Sequence, residues 1–569
     1  MNYLKLAQLY EAISSTTKRL EKMDILSNFL KDLAKEDKEI LYLLLGDIYP
    51  EYDERRIGIS NQLVIKAISK ATGIEGDSVV KEWKKIGDLG EVAEKLISGK
   101  KQATLQDQTL TTKKVLENLR KLPELEGKGT VGKKLGLITE LLTSASPIEA
   151  KYLVRTLIGD LRIGILEGTI RESLASAFFE RTKENSEIIQ RAIDKSNDIA
   201  IVFEVAKKGK IKSLEDISLQ VGKPIKAMLA QKTATIESAF KALGKPCAVE
   251  YKYDGFRLLI HKGADKIALF TRSLENVTNQ FPEVVEYVKK YVKGDSFILD
   301  SEAVGYHKKT KEYTPFQAIS QRIRRKYGIE KLQKELPVEI NVFDILYYNG
   351  KSELDTPFEK RSKLLRKIVK DTPYKIVVAK QIITEDGGKV TEFYDKAIKD
   401  NQEGVIFKNL KAEYKPGRRV GHMLKLKPEE KDYDLVITGA EYGKGKRSGW
   451  FSSFILSCKS GGKGEYLEVG KMGTGIKEKS EQGVSFEELT NQIKPLILEE
   501  NEKRVKIKPK IVVAVTYQEI QFSPNYDSKY ALRFPRFIAL RPDKPLSEIT
   551  TIKEIQDDFK NQKRNYRYG

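Results

Sequence analysis

The sequence predicts a multidomain chain: an all-α N-terminal region, an α+β middle region and a small C-terminal β-barrel. Three observations predict it. At 569 residues the chain is too long for one hydrophobic core. Its composition, 40% hydrophobic and 32% charged, is that of a protein that folds over most of its length. Its texture also changes twice, near Gly222-Lys223-Pro224 and at the polar break Pro428-Glu429-Glu430-Lys431. The expected domains are therefore 1–235, 236–430 and 431–569.

In the first domain apolar residues recur at helical spacing. Leu6, Leu9, Tyr10 and Ile13 share one face, as do Leu26, Phe29, Leu30 and Leu33. Ser146-Pro147-Ile148-Glu149 reads as a capping box with proline in the first turn, and its stripe continues through Leu153, Leu157 and Leu161. In the second domain short alternating runs predict strands at Phe256–His261, Ile267–Thr271, Phe297–Leu299, Val342–Tyr347 and Val405–Phe407, with a helix over Pro357–Val369. In the third, strands are expected at Asp434–Gly439, Phe451–Ser457, Tyr466–Val469 and Ile511–Ile520, a barrel of about oligonucleotide-binding (OB) fold size. The basic tail Lys563–Gly569 reads as a solvated end.

Composition excludes several classes. Only two cysteines occur, Cys247 and Cys458, and neither lies in a C-x-x-C pair, so a disulfide framework or a cysteine-rich zinc site is not expected. The first residues lack the apolar run of a signal peptide, and the strongest run, Ile40–Leu45, is far short of a membrane span. A soluble, intracellular protein without a membrane partner is expected. The formal net charge of +21, from 102 Lys and Arg against 81 Asp and Glu, suits a polyanion.

The informative segment is Glu250-Tyr251-Lys252-Tyr253-Asp254-Gly255-Phe256-Arg257. If residues 249–253 form a strand, Glu250 and Lys252 share a face, and Gly255 permits a sharp turn after them. A lysine so placed can act as a covalent nucleophile once its amine is neutral, which burial and neighbouring cations arrange by lowering its pKa. Further along, a short apolar strand delivers Asp300 and Glu302 to one face, and alternation in Leu424-Lys425-Leu426-Lys427 puts both lysines on one side.

The segment resembles motif I of the covalent nucleotidyltransferases, a superfamily of DNA ligases, RNA ligases and capping enzymes. In these the lysine takes a nucleoside monophosphate as a phosphoramidate, a role the resemblance carries to Lys252. Thr271-Arg272-Ser273 resembles motif Ia, whose arginine contacts nucleotide. Asp300-Ser301-Glu302-Ala303-Val304-Gly305 resembles motif III, and Val342-Phe343-Asp344-Ile345-Leu346 motif IIIa, whose aromatic ring stacks on the base. Glu403-Gly404-Val405-Ile406-Phe407-Lys408 resembles motif IV and Leu424–Lys427 motif V. The chemistry agrees: Arg257, Arg272, Arg419, Lys425 and Lys427 would supply a positive field for phosphates, and Glu302 and Glu403 hard oxygen ligands for Mg²⁺. Phe343 would offer a flat face to adenine and Glu250 would meet its edge.

Flanking segments resemble archaeal replicative ATP-dependent DNA ligases. Leu532-Arg533-Phe534-Pro535-Arg536-Phe537 and Arg541-Pro542-Asp543-Lys544 look like motif VI, which implies phosphate contacts from Arg533, Arg536 and Lys544; Ala539 stands where some relatives are expected to carry a basic residue. Asp160-Leu161-Arg162-Ile163-Gly164-Ile165 resembles a loop that touches the DNA backbone, which assigns Arg162 there. The resemblance implies a helical DNA-binding domain, an adenylation domain and an OB-fold domain that rotates about the polar break. It implies ATP as AMP donor, Mg²⁺ or another divalent cation, nicked double-stranded DNA as partner, a monomer, and the cytoplasm of an archaeal cell. A sliding clamp is a further expected partner, although Gln102-Ala103-Thr104-Leu105 lacks the aromatic pair of a clamp-binding motif. The alternatives are an RNA ligase or capping-type enzyme, or a non-catalytic nucleic-acid- or clamp-binding protein.

Overall fold

From Tyr3 to Glu215 the regular structure is built of helices around one core. The computed structural model describes the chain except residues 100–108, 128, 265, 324, 326, 419, 429–430, 444–446, 448, 463, 479, 502–503 and 563–569, and the side chain of residue 317. Leu26, Leu30 and Leu33 are buried in the helical core with Phe29 partly buried beside them, as their spacing requires. At the helix Pro147–Leu157 the Ser146 N–H donates to the Glu149 carboxylate at 2.8 Å, so one of the helix-end donors is satisfied. Leu161 is buried but lies past that helix, because the chain turns at Gly159 with φ +70°. None of the described helices is long and apolar enough to cross a membrane.

Twelve strands follow among the described residues of the first compact unit, Met1–Lys427. They are β1 (Gln231–Lys232), β2 (Cys247–Lys252), β3 (Phe256–Gly263), β4 (Lys266–Thr271), β5 (Ser296–Tyr306) and β6 (Tyr313–Thr314). Then come β7 (Val338–Tyr348), β8 (Lys351–Ser352), β9 (Ile376–Val378), β10 (Gln381–Thr384), β11 (Gly404–Lys408) and β12 (Met423–Leu426). One sheet has the order β1-β12-β11-β2-β10; the other runs β4-β3-β5-β7-β8, with β6 beside β5 and β9 beside β7.

Alternation sorts each sheet into two faces. Val249, Tyr251, Val405, Phe407 and Leu424 pack on the helices Ile236–Leu243 and Gly387–Lys399. Leu258, Ile260, Phe297 and Leu299 of the other sheet pack on the helices Pro282–Tyr291 and Phe358–Ile368. The remaining faces carry the polar residues and confront each other across a hydrogen bond from Lys408 Nζ to the Phe343 carbonyl. β5 is longer than its apolar run Phe297–Leu299 predicts. Its polar continuation is satisfied by β3: Ser301 Oγ donates to the Leu258 carbonyl at 2.7 Å, and Asp300 receives Arg257.

The segment leading from the helices to β1 covers the β3 face that bears Leu259 and His261. Gly222 N–H donates to His261 Nδ1 at 3.0 Å, which puts the imidazole proton on Nε2. Burial pushes this imidazole down to about 3, against about 6.5 in an unfolded chain. The unfolded chain therefore takes up a proton that the folded chain refuses, and stability is lost as pH falls from about 6.5 towards 3. Denaturant midpoints at about pH 7 and pH 5 should fall less for His261→Leu than for the unsubstituted chain.

The second unit, Pro428–Gly569, is rich in strands. It holds β13 (Asp432–Tyr442), β14 (Phe451–Lys459), β15 (Tyr466–Met472), β16 (Ile497–Glu500) and β17 (Arg504–Ile507). β18 (Val512–Thr516), β19 (Glu519–Phe522), β20 (Tyr530–Arg533) and β21 (Arg536–Leu540) complete it. β13 pairs with β14, β17 and β18, β18 pairs with β21, and a bridge from Thr474 to Arg536 curls the sheet back on itself around Leu435, Phe454, Leu456 and Val515. This is the strand-rich OB-type domain that the spacing predicts. The expected single strand Ile511–Ile520 is two, because the chain changes partners at Tyr517-Gln518: β18 pairs with β13 and β21, and β19 pairs with β20. Tyr517 stacks on Tyr433 at 4.6 Å at the break.

Candidate active site

β2, β11 and β12 lay one row of charged residues along one face. Glu250 faces Ile406 and Lys252 faces Gly404 in the β2–β11 register, and Lys425 is opposite Ile406 on β12. Leu424 and Leu426 point behind, into the helix-covered core. Gly404 has φ +136°, and a Cβ there would lie 2.2 Å from the Leu426 carbonyl oxygen. Only glycine lets β11 begin so close, with Glu403 donating its N–H to the Lys252 carbonyl at 2.8 Å.

Lys252 Nζ lies 2.9 Å from Glu403 Oε2, and Lys427 Nζ pairs with the same oxygen. Burial works against the ionised form of Glu403, but the two lysines outweigh it and hold its carboxyl at about 2. Burial pushes the Lys252 amine down, yet Glu403 and Glu302 overcome it and hold the amine above its ordinary value. This corrects the expectation of a lowered pKa: a carboxylate, rather than a cation, is the partner at 2.9 Å. Gly255 brings the turn after β2 onto β5, since a Cβ there would lie 2.2 Å from the Ala303 carbonyl and 3.0 Å from Glu302 Cγ. Burial pushes Glu302 up to about 7, with Lys252 and Arg257 offsetting it only in part.

On the facing sheet, Arg257, Glu302 and Asn341 form one row and Leu259, Asp300 and Asp344 the next. The register of β5 on β7 shifts between Asp300 and Ser301, leaving Phe343 as the extra residue of a β-bulge. The bulge re-aims its ring, which lies between Lys408 Nζ at 4.9 Å and the Arg257 guanidinium at 5.4 Å. Lys408 Nζ also donates to the Phe343 carbonyl at 3.0 Å and pairs with Glu250 at 2.7 Å. Gln381 donates to the other Glu250 oxygen at 2.7 Å. An aromatic ring, a lysine paired with a carboxylate and a second, cation-bound carboxylate thus belong to facing sheets.

The structure brings Glu250, Lys252, Glu302, Phe343, Glu403, Lys425 and Lys427 to these facing sides. Arg257 is there too, but not as a free phosphate cation. Its Nε donates to Asp300 at 2.7 Å, its Nη2 to Tyr414 at 2.7 Å and its Nη1 to the Met228 carbonyl at 3.2 Å. Arg272 follows the last residue of β4, is exposed, and has no described contact with the cluster. Arg419 lies outside the described residues, as do 102–105 of the clamp-motif comparison.

In the second unit Arg533 pairs with Glu519 at 3.0 Å, and Lys544 with Asp434 at 3.5 Å, so both serve ion pairs inside that unit. Arg536 is exposed at the start of β21, after Phe534 at φ +51° and 69% exposed. Arg162 has φ +58° and is held by Asp88 at 2.8 Å and Asp160 at 2.7 Å, so its guanidinium is braced by carboxylates. Beside it Lys22 Nζ occupies the space that a Cβ on Gly164 would need, at 2.8 Å.

Sequence reasoning missed Lys408, Asp344, Arg361 and Tyr414. A carboxylate in the apolar run Val342–Leu346 is a signal, since a buried charge needs a partner. That partner is Arg361, whose Nε donates to Asp344 Oδ1 at 2.7 Å. Tyr414 carries no comparable signal.

This geometry is a largely buried lysine paired with a carboxylate and facing an aromatic ring, and comparison with known proteins identifies the class of protein that carries it. Three family models match: "DNA ligase N terminus" over residues 2–175, "ATP dependent DNA ligase domain" over 227–427 and "ATP dependent DNA ligase C terminal region" over 447–544. The chain is 45% identical to a DNA ligase of Nanoarchaeum equitans, over 99% of both chains. It is 40% identical to one of Thermococcus fumicolans and 38% identical to one of Archaeoglobus fulgidus, again over 99% of each. A solved structure named Pmar-Lig_Pre shares the fold, with a TM-score of 0.58 at 17% identity over 94% of this chain and 98% of that one. The chain belongs to the ATP-dependent DNA ligases of the archaeal type. It is an enzyme that joins DNA at the expense of ATP.

Proposed function

We propose that Lys252 carries AMP between ATP and the 5′-phosphate of nicked duplex DNA. The observation that supports this reading is the Lys252–Glu403 pair at 2.9 Å, on the face that confronts the bulged Phe343. The Lys252 amine, once it has given up its proton, attacks the α-phosphorus; the P–N bond forms as the P–O bond to pyrophosphate breaks. Glu403 holds the amine in place beforehand, and Lys425 and Lys427 stabilise charge on the non-bridging oxygens. Phe343 stacks on adenine, and Glu250, oriented by Lys408 and Gln381, meets its edge. AMP then passes to the DNA 5′-phosphate, and the nick 3′-OH attacks that phosphate and expels AMP.

Glu302 and Glu403 fit a divalent cation. Glu302 is a carboxyl whose burial no cation fully offsets, and among the described residues no group of three or more metal-ligating side chains occurs. Two carboxylates completed by substrate phosphates and water are a usual Mg²⁺ environment, and such an ion neutralises phosphate charge. The reading assigns DNA binding to 1–235, adenylation to 236–430 and nucleotide closure, through Arg536, to 431–569, in a monomer that engages a sliding clamp.

The test is labelling with α-labelled ATP and a divalent ion, followed by nicked duplex DNA. Labelled protein, loss of label on adding nicked DNA and appearance of sealed product are expected, with no label from GTP. Labelling by GTP alone, or sealing of RNA alone, would transfer the chain to the capping or RNA-ligase reading.

A further inference from the structure

Tyr414 lies in the irregular stretch between β11 and β12, and only 2% of its surface is exposed. Its hydroxyl makes three hydrogen bonds, all that a hydroxyl can make. It donates to Asp300 Oδ2 at 2.8 Å, and it accepts from Arg257 Nη2 at 2.7 Å and from the Met228 N–H at 3.1 Å. These partners come from three parts of the chain. Asp300 is on β5, Arg257 is on β3 beside the Phe343 ring, and Met228 belongs to the segment arriving from the helices. Arg257 Nη1 also donates to the Met228 carbonyl at 3.2 Å, so both backbone groups of Met228 are tied to this point. Two residues earlier Lys226 pairs with Glu167 of the helical region at 2.9 Å.

We propose that Tyr414 is a positioning residue for nucleotide binding, which fixes Arg257 beside Phe343 and pins the connecting segment to the same atom. The base-stacking face is then set before ATP arrives. This rests on Phe343 being the base platform, as proposed above. Removing the hydroxyl leaves the Met228 N–H without its buried partner, takes one of two donors from Asp300 Oδ2 and leaves one N–H of Arg257 unpaired. Arg257 beside the Phe343 ring is then held by Asp300 and the Met228 carbonyl without the third partner that fixed it. Lys252, Glu403 and Lys427 are borne by the facing sheet and its ends and have no described contact with Tyr414, so the chemical step keeps its machinery.

The experiment is the rate of self-adenylation against ATP concentration, with α-labelled ATP, for the full chain and Tyr414→Phe. KM should rise about tenfold, the equivalent of one lost buried hydrogen bond, with the saturating rate within about twofold. Tyr414→Phe protein adenylated beforehand should seal nicked DNA at the unsubstituted rate. Arg257→Met should raise KM as well, and adding Tyr414→Phe to it should change KM less than about twofold. If Tyr414→Phe does not fold, Asp300→Asn, which keeps the side-chain shape, should show the same rise in KM with normal sealing after adenylation. An unchanged KM, an equal loss in both steps, or fully multiplicative effects with Arg257→Met would overturn the proposal. Absence of label from the unsubstituted enzyme would instead overturn the nucleotide-site reading beneath it.

Discussion

Lys252→Ala is expected to abolish self-adenylation and nick sealing while leaving the fold intact. In the proposed reaction the amine is the group that forms the covalent bond, and the side chain, 21% exposed, stands on the last residue of β2. Truncation removes the ammonium that pairs with Glu403, but Lys427 remains on the same oxygen, so Glu403 keeps a cation. The loss in rate should reach at least about 10⁴-fold, as for removal of other covalent nucleophiles. Labelling with α-labelled ATP measures the first effect and circular dichroism the second. Sealing of DNA adenylated beforehand should survive better than labelling, because that last step does not pass through the lysyl nitrogen. Equal and complete loss of both, with a normal spectrum, would mean that Lys252 serves the final step too.

The second large effect concerns stability. Arg361 and Asp344 are 1% and 2% exposed and joined by two hydrogen bonds, at 2.7 and 3.0 Å. Arg361 Nη1 also donates to the Ala412 carbonyl at 3.1 Å, which ties the helix Phe358–Ile368 to the stretch that carries Tyr414. Arg361→Met leaves Asp344 buried and uncompensated beside Asp300, its neighbour across the β5–β7 ladder. Breaking one side of such a pair costs about 3–5 kcal/mol. The transition of the Met1–Lys427 unit in calorimetry should move down accordingly. The double change Arg361→Met with Asp344→Leu should recover much of the loss, because the desolvation cost disappears with the second charge. A double variant less stable than Arg361→Met would show that the hydrogen bonds to backbone carbonyls, rather than the charge pair, hold this region.

Much of this arrangement is legible in the sequence because it follows from alternation. Glu250 and Lys252 share a face of β2, and Lys425 and Lys427 point away from Leu424 and Leu426, as period two demands. The helical stripes are legible for the same reason at period 3.6. What is hidden depends on partners far along the chain. Alternation alone does not set Phe343 apart within its apolar strand, and only the resemblance singles it out; a one-residue register shift against β5 re-aims it, and no local signal announces the shift. Arg257 reads as a free cation until Asp300, Met228 and Tyr414 are seen around it. Arg162, Arg533 and Lys544 likewise read as anion-seeking side chains, and nearby carboxylates hold them. The raised pKa of the Lys252 amine is hidden too, because the approach of Glu403 depends on Gly404 closing β11 against β12.

Covalent attachment of AMP to one amine is the claim on which the account stands. The most direct test is to incubate the full chain with ATP and a divalent ion, digest it at neutral pH and locate the added AMP by mass spectrometry. AMP is expected on the peptide containing Lys252, and it should be lost on brief acid treatment as a phosphoramidate is. AMP carried by a different residue, or ATP retained with no covalent adduct while nicked DNA is still sealed, would contradict it.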